Sequence, residues 1–172
     1  MTGHLPQLEG AALLTDSGLE TDLIFHHDVD LPAFAAFTLL RDDRGRELLA
    51  GYAREHFETA AAHGFGAVVE TPTWRASRDW AGAVGWSTSD VVRSNREAVE
   101  LVCDIRRSVK GAGPQLVSGN LGPRTDGYVS AQRMTAAEAQ SYHSEQVEAF
   151  AGTDVDLVTL MTAAYPQEAV GF

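Results

Sequence analysis

Four short apolar runs, separated by stretches with helical spacing, constrain this chain more than any other feature. The runs are AALLTD at 11–16, GAVVET at 66–71, QLVSGN at 115–120 and DLVTLMT at 156–162. After the first, FHHDVDLPAFAAF reads as a long connection. ELLAGYAREHFETAAAHG then places Leu49, Tyr52, Ala53, His56, Ala60 and His63 on one helix face, and Gly64 closes it. STSD at 87–90 offers helix-capping side chains. The stripe that follows runs Val91, Asn95, Ala98, Val99, Val102, Arg106, Val109 until GAGP breaks it. TAAE at 135–138 is a capping box, with Ala139, Tyr142, His143, Gln146, Val147 and Phe150 at 3–4 spacing behind it. PQEAVGF starts a last helix with proline in its first turn. Strands that alternate with helices pair in parallel, because a crossover helix returns the chain to the same end of the sheet.

The predicted fold class is therefore α/β, with four parallel strands and outer helices. Four strand–helix units are half of a (β/α)8 TIM-type barrel, which takes about 250 residues when whole. The loops are long for a complete four-stranded open sheet, so residues 1–172 read as one partial domain, an N-terminal half-barrel. In barrels and open sheets alike, ligands bind beyond the C-terminal ends of the strands. The candidate residues are sought there.

Composition narrows the function classes. A formal net charge of −11 and a pI near 4.8 disfavour nucleic acid and anionic membrane, whose phosphates would be repelled. No apolar run approaches the roughly 20 residues of a membrane helix. The one cysteine, Cys103, excludes an internal disulfide and fits a reducing, cytoplasmic setting. The expected partner is a small molecule. The open edges of a four-stranded sheet also invite pairing with another chain, so a homo-oligomer is an expectation as well.

Three strand ends carry polar side chains that chemistry could use. TDSGLETD follows the first strand, where Asp16, Glu20 and Asp22 make an acidic mouth suited to an ammonium group, and Ser17 and Gly18 form a small-residue turn. A solvated Asp-Ser-Gly turn is the plain alternative. ETPTWRASRDW, at 70–80, closes the second strand with Glu70, Thr71 and Thr73, two arginines and two tryptophans. Glu70 can bond a polar ligand or pair with Arg75 or Arg78. Trp74 and Trp80 can wall an apolar or cationic group or simply pack. SGNLGPRTDGY, at 118–128, brings the Asn120 amide and a tight Gly122-Pro123 turn. Too few glycines and no following lysine argue against a phosphate loop. His26 and His27 are adjacent, so their side chains are expected to diverge rather than share a metal. Cys103 falls in a helix stripe and reads as a small hydrophobe.

Taken in order, LLTDSGLETDLIF, ETPTWRASRDW and SGNLGPRTDGY resemble the N-terminal half of the homocysteine S-methyltransferase family, from about residue 13 to the end. The resemblance implies a (β/α)8 barrel that moves a methyl group from a sulfonium or ammonium donor to the homocysteine thiol, giving methionine. It implies that Asp16, with Ser17 and Gly18 in its turn, receives the substrate amino group. Glu70, Thr71 and Thr73 match the second-strand loop, and Asn120, Gly122 and Pro123 the third. It implies zinc on three cysteines beyond residue 172, so no metal ligand and no catalytic residue is assigned to this chain. Four positions depart from the pattern. Ser17 stands where glycine is usual, Asp22 where glutamate is usual, Met161 where many members place a glutamate, and Arg75 where betaine users have tyrosine. Two alternatives remain: a non-catalytic half-barrel that binds another chain, and a related barrel enzyme with a different small substrate.

Overall fold

A computed structural model describes residues 5–111, 113–128 and 132–172. The expected strands form at β1 (Leu13–Thr15), β2 (Gly66–Glu70), β3 (Gln115–Leu121) and β4 (Leu157–Leu160). They make one four-stranded sheet in the order β1-β2-β3-β4, and every pair is parallel. Leu14 lies opposite Ala67, Val69 opposite Val117, and Asn120 opposite Thr159. This register puts the four C-terminal ends side by side.

Period-two alternation divides the sheet into two faces. Ala67, Val69, Val117 and Leu121 are fully covered by Phe57, Val99, Val102 and Phe150 of the helices outside. Val68, Glu70, Asn120 and Thr159 point the other way and are only half-buried. GAVVET is thus apolar toward the helices and polar-tipped on the opposite, concave side, rather than covered on both.

The helices follow from their caps and stripes. α1 (Leu19–His27) starts inside the TDSGLETD segment and runs into the first residues of the FHHDVDLPAFAAF connection, where the sequence predicts no helix. α2 (Asp43–Ala62) starts where Asp42 accepts the Gly45 N–H and ends before Gly64, whose φ of +73° is left-handed. Its buried side carries Leu49, Tyr52, Ala53, Phe57 and Ala60, while His63 is exposed. α3 (Arg78–Ala83) begins inside the tryptophan-rich loop. α4 (Thr88–Ser108) and α5 (Ala136–Phe150) both open on complete capping boxes, Ser87 with Asp90 and Thr135 with Glu138. Of the GAGP segment that follows α4, residue 112 lies outside the described residues. α6 (Pro166–Gly171) has proline at its start. Among the described residues no helix is long and apolar enough to cross a membrane.

Candidate functional site

A cavity of about 950 Å³ occupies the concave side of the sheet and opens at the strand C-termini. Asp16, Ser17, Gly18, Glu70, Thr71 and Asn120 line it, so the sheet gathers six of the eight sequence-predicted residues. Thr73 and Gly122 are buried and do not line it; they act from behind.

The β1 turn is fixed from α2. The Tyr52 hydroxyl donates to the Ser17 carbonyl at 2.6 Å and accepts the Ser17 N–H at 3.1 Å, while Ser17 Oγ lies 3.4 Å from His56 Nε2. Held this way, Asp16 turns toward β2, where its Oδ2 accepts the Glu70 N–H at 3.3 Å. Burial pushes the Asp16 carboxyl up to about 6, an effect that the Glu70 N–H and His56 only partly offset. Burial likewise pushes Glu70 up to about 7; hydrogen bonds from Ser118 and Thr159 oppose the rise, and the nearby Asp16 adds to it. Glu20 is raised for the same main reason. Glu70 Oε2 and Asn120 Oδ1 are buried acceptors with no hydrogen-bond partner. The site therefore gathers several carboxyl groups, one of which, Glu70, keeps an oxygen without a hydrogen-bond donor.

Of the two roles open to the tryptophans, packing is the one both adopt, around a cation of the protein itself. Arg75 lies over the Trp74 ring at 3.9 Å and over the Trp80 ring at 3.6 Å, so the two indoles clamp the protein's own guanidinium. Its Nη1 donates to the Thr125 carbonyl at 3.1 Å, and its Nη2 lies 3.9 Å from Asp126. Glu70 pairs with neither arginine of its loop; Arg78 bridges instead to Glu145 and Asp79. Gly122 is required by the same packing. A Cβ there would sit 2.3 Å from the Trp74 carbonyl oxygen and 2.7 Å from its ring. Trp80 Nε1 completes the join by donating to the Pro123 carbonyl at 3.3 Å. The second and third strand loops are one packed unit. Trp74 alone of the two indoles reaches the cavity, together with Phe34, Tyr128 and Met161. Phe34 is presented there by two consecutive left-handed residues, Ala33 at φ +56° and Phe34 at φ +55°, a conformation costly for side chains with a Cβ.

Tyr52 is legible in the sequence only as a stripe residue, and nothing in the spacing marks it as the support of the Ser17 turn. The histidine pair also departs from expectation. Both rings reach one carboxylate, with His26 Nδ1 2.7 Å and His27 Nε2 3.4 Å from Asp22. Zinc needs several convergent donors. Among the described residues no group of three or more His, Cys, Asp or Glu side chains could hold a metal ion. Cys103 is buried in the helix layer, its Sγ 3.6 Å from the Asp154 carbonyl oxygen, and burial raises its pKa. These residues do not fit a zinc ion.

Comparison with known proteins agrees with the fold. A family model described as homocysteine S-methyltransferase matches residues 13–172. The metallated form of the homocysteine methyltransferase MmuM from Escherichia coli superposes with a TM-score of 0.75 at 20% identity, covering 95% of this chain and 58% of that one. The oxidized form of the same enzyme gives 0.71 at 22% identity, covering 88% and 53%. The chain thus spans little more than half the length of these relatives, as a half-barrel does. No curated protein matches it.

Proposed function

Because the chain belongs to the homocysteine S-methyltransferase family, we propose that its cavity binds homocysteine, and that the whole protein methylates the homocysteine sulfur to give methionine. The observation that carries this reading is the set of acceptors at the strand ends. Glu70 Oε2 and Asn120 Oδ1 are buried without donors, and Asp16 stands beside Glu70. An ammonium group brings three N–H donors and one positive charge, which is what such a set lacks. Amino-group recognition is therefore assigned to Asp16, Glu70 and Asn120, with the Ser17–Gly18 turn and Thr71 shaping the pocket. Thr73 and Gly122 hold the loops behind it.

The reaction needs a thiolate and an electrophilic methyl group. A carbon–sulfur bond forms to homocysteine as the donor's bond from the same carbon to a sulfonium sulfur or quaternary nitrogen breaks. The donor leaves as a neutral thioether or amine, and the thiolate becomes a thioether. Opposite charges vanish together, so an apolar setting favours the transition state over the separated ions. Phe34 and Tyr128 bring exposed aromatic rings to the cavity for a cationic donor. Zinc is the metal of this reading, on ligands beyond residue 172, and the described residues contribute none. A reducing compartment, the cytoplasm, is the proposed setting, since it keeps the substrate thiol free.

The test is direct. Protein isolated from its own cells, with its native metal, should form methionine from L-homocysteine with either a methylsulfonium or a trimethylammonium donor, as read by mass spectrometry. Absence of methionine with both donor classes would remove the reading. A second reading, that the chain docks on another half-barrel, is favoured by the exposure of Leu14 at 38% and Met161 at 42% on the sheet and its mouth. A stable complex with a second barrel half that neither binds homocysteine nor makes methionine would favour it.

A further inference from the structure

Gln146 lies on α5, outside the sheet, and does not line the cavity, yet it is only 4% exposed and sits at the centre of a closed hydrogen-bond network. Its Nε2 is 2.9 Å from the Thr73 carbonyl, 3.3 Å from the Asn120 carbonyl and 2.9 Å from Asn95 Oδ1. Three acceptors converge on one nitrogen, so the group placed there must donate. Asn95, on α4, is fully buried and donates in turn to the carbonyls of Ala76 and Val91, each at 2.9 Å.

The hydroxyls complete the circuit. Thr73 Oγ1 donates to the Asn120 carbonyl at 2.7 Å, which leaves Thr71 as the donor in the 2.6 Å contact between the two threonines. Thr71 Oγ1 also accepts the Asn120 N–H at 3.0 Å. Both backbone groups of Asn120 are thereby occupied, and the turn after β2 is tied to two outer helices. What the network leaves unoccupied is Asn120 Oδ1 and, one residue before Thr71, Glu70 Oε2.

We propose that Gln146 is a positioning residue for ligand recognition: its carboxamide locks the Thr71–Thr73 turn to Asn120, and so fixes the Asn120 and Glu70 side chains, which line the cavity, for an incoming ligand. The claim rests on the ammonium-binding reading above, and it extends the site to a helix residue that never touches the ligand. Water-exposed acceptors on a mobile turn would satisfy themselves; acceptors held by a buried network cannot.

Two variants test it. Gln146→Met keeps the length of the side chain and removes the donor, whereas Gln146→Glu sets a carboxylate against three acceptors. The probes are L-homocysteine and 4-sulfanylbutanoate, which is the same molecule without its amino group. Both variants should reduce the wild-type preference for homocysteine over the desamino compound by about tenfold, the worth of one charge-assisted hydrogen bond. Amide exchange across 71–76 should quicken by a similar factor. A residue of merely structural importance would weaken both ligands alike; that outcome, or an unchanged preference, overturns the proposal. If the wild-type protein binds neither compound, the homocysteine reading fails, and exchange alone decides: unchanged protection in both variants overturns the positioning role, and faster exchange confined to 71–76 and Asn120 sustains it. Should Gln146→Glu not fold, Gln146→Met carries the test.

Discussion

Asp16 and Glu70 resist ionisation because they are buried, and this makes their chemistry visible in pH. Their folded pKa values, about 6 and about 7, stand above the ordinary 3.8 and 4.5. A carboxyl whose folded pKa is raised favours the native state most below its unfolded pKa. That stability is lost as pH rises toward the folded value and is level beyond it. The ligand-free protein should therefore lose stability between about pH 4 and 7 through these two groups. Urea denaturation across that range reads the loss, and Asp16→Asn and Glu70→Gln should each flatten it. An ammonium ligand reverses the preference, because it binds the ionised pair. Homocysteine affinity should rise from pH 5 to 8, with proton release on binding, read as a buffer-dependent calorimetric enthalpy; a flat profile without proton exchange would remove the ammonium assignment. Asp16→Asn should cost homocysteine about tenfold to a hundredfold in affinity, since a charge-assisted hydrogen bond is worth about 1.5–3 kcal/mol. The polar residues at the strand ends could be named from sequence because strand ends are recognisable. Tyr52, Asn95 and Gln146 could not, because helical spacing reveals which side of a helix is buried but not which loop it will meet. Gln146 reaches Thr73 across 73 positions of chain.

Among the elements, the joined loops after β2 and β3 do most to shape the mouth. Their tryptophans could be seen in the sequence as unusual for a loop, but the clamped cation proved to be Arg75 itself. Arg75→Lys replaces a planar group stacked on two indoles with a compact ammonium, and should cost about 1–2 kcal/mol of stability. Thermal denaturation reads this, and an unchanged midpoint would mean that the stacking contributes nothing. Gly122→Ala should act more sharply, because its Cβ meets backbone, the Trp74 carbonyl at 2.3 Å, which cannot swing aside. Overpacking of this kind costs about 1–3 kcal/mol, and the displaced Trp74 should weaken ligand binding beyond what the stability loss explains. The helices with strong stripes and capping boxes, α4 and α5, were readable from sequence within a residue or two. α1 was not: only Leu19 and Leu23 of its nine residues are buried, and Gly18 gives it no capping side chain. Neither of the two signals that reveal a helix in sequence is present there.

For the whole molecule, sheet order follows chain order, and the cavity results from that simplicity. Four parallel strands in sequence bring Asp16, Glu70 and Asn120 to one rim, although more than a hundred residues separate the first from the last. Fold class and rim were legible because both follow from apolar runs and where they stop. The electrostatic state of the rim was not, since it depends on how completely the surrounding elements exclude water. Nor was the clamp on Arg75, which two loops make together. The central claim is that this rim recognises the amino group of homocysteine. Its most direct test is calorimetric titration of the protein with L-homocysteine and with 4-sulfanylbutanoate near pH 8, where both carboxylates are ionised and the ligand ammonium persists. The account predicts that homocysteine binds at least about tenfold more tightly, and that Asp16→Asn narrows the difference by about tenfold or more. Equal affinity for the two compounds, or binding of neither, would contradict it.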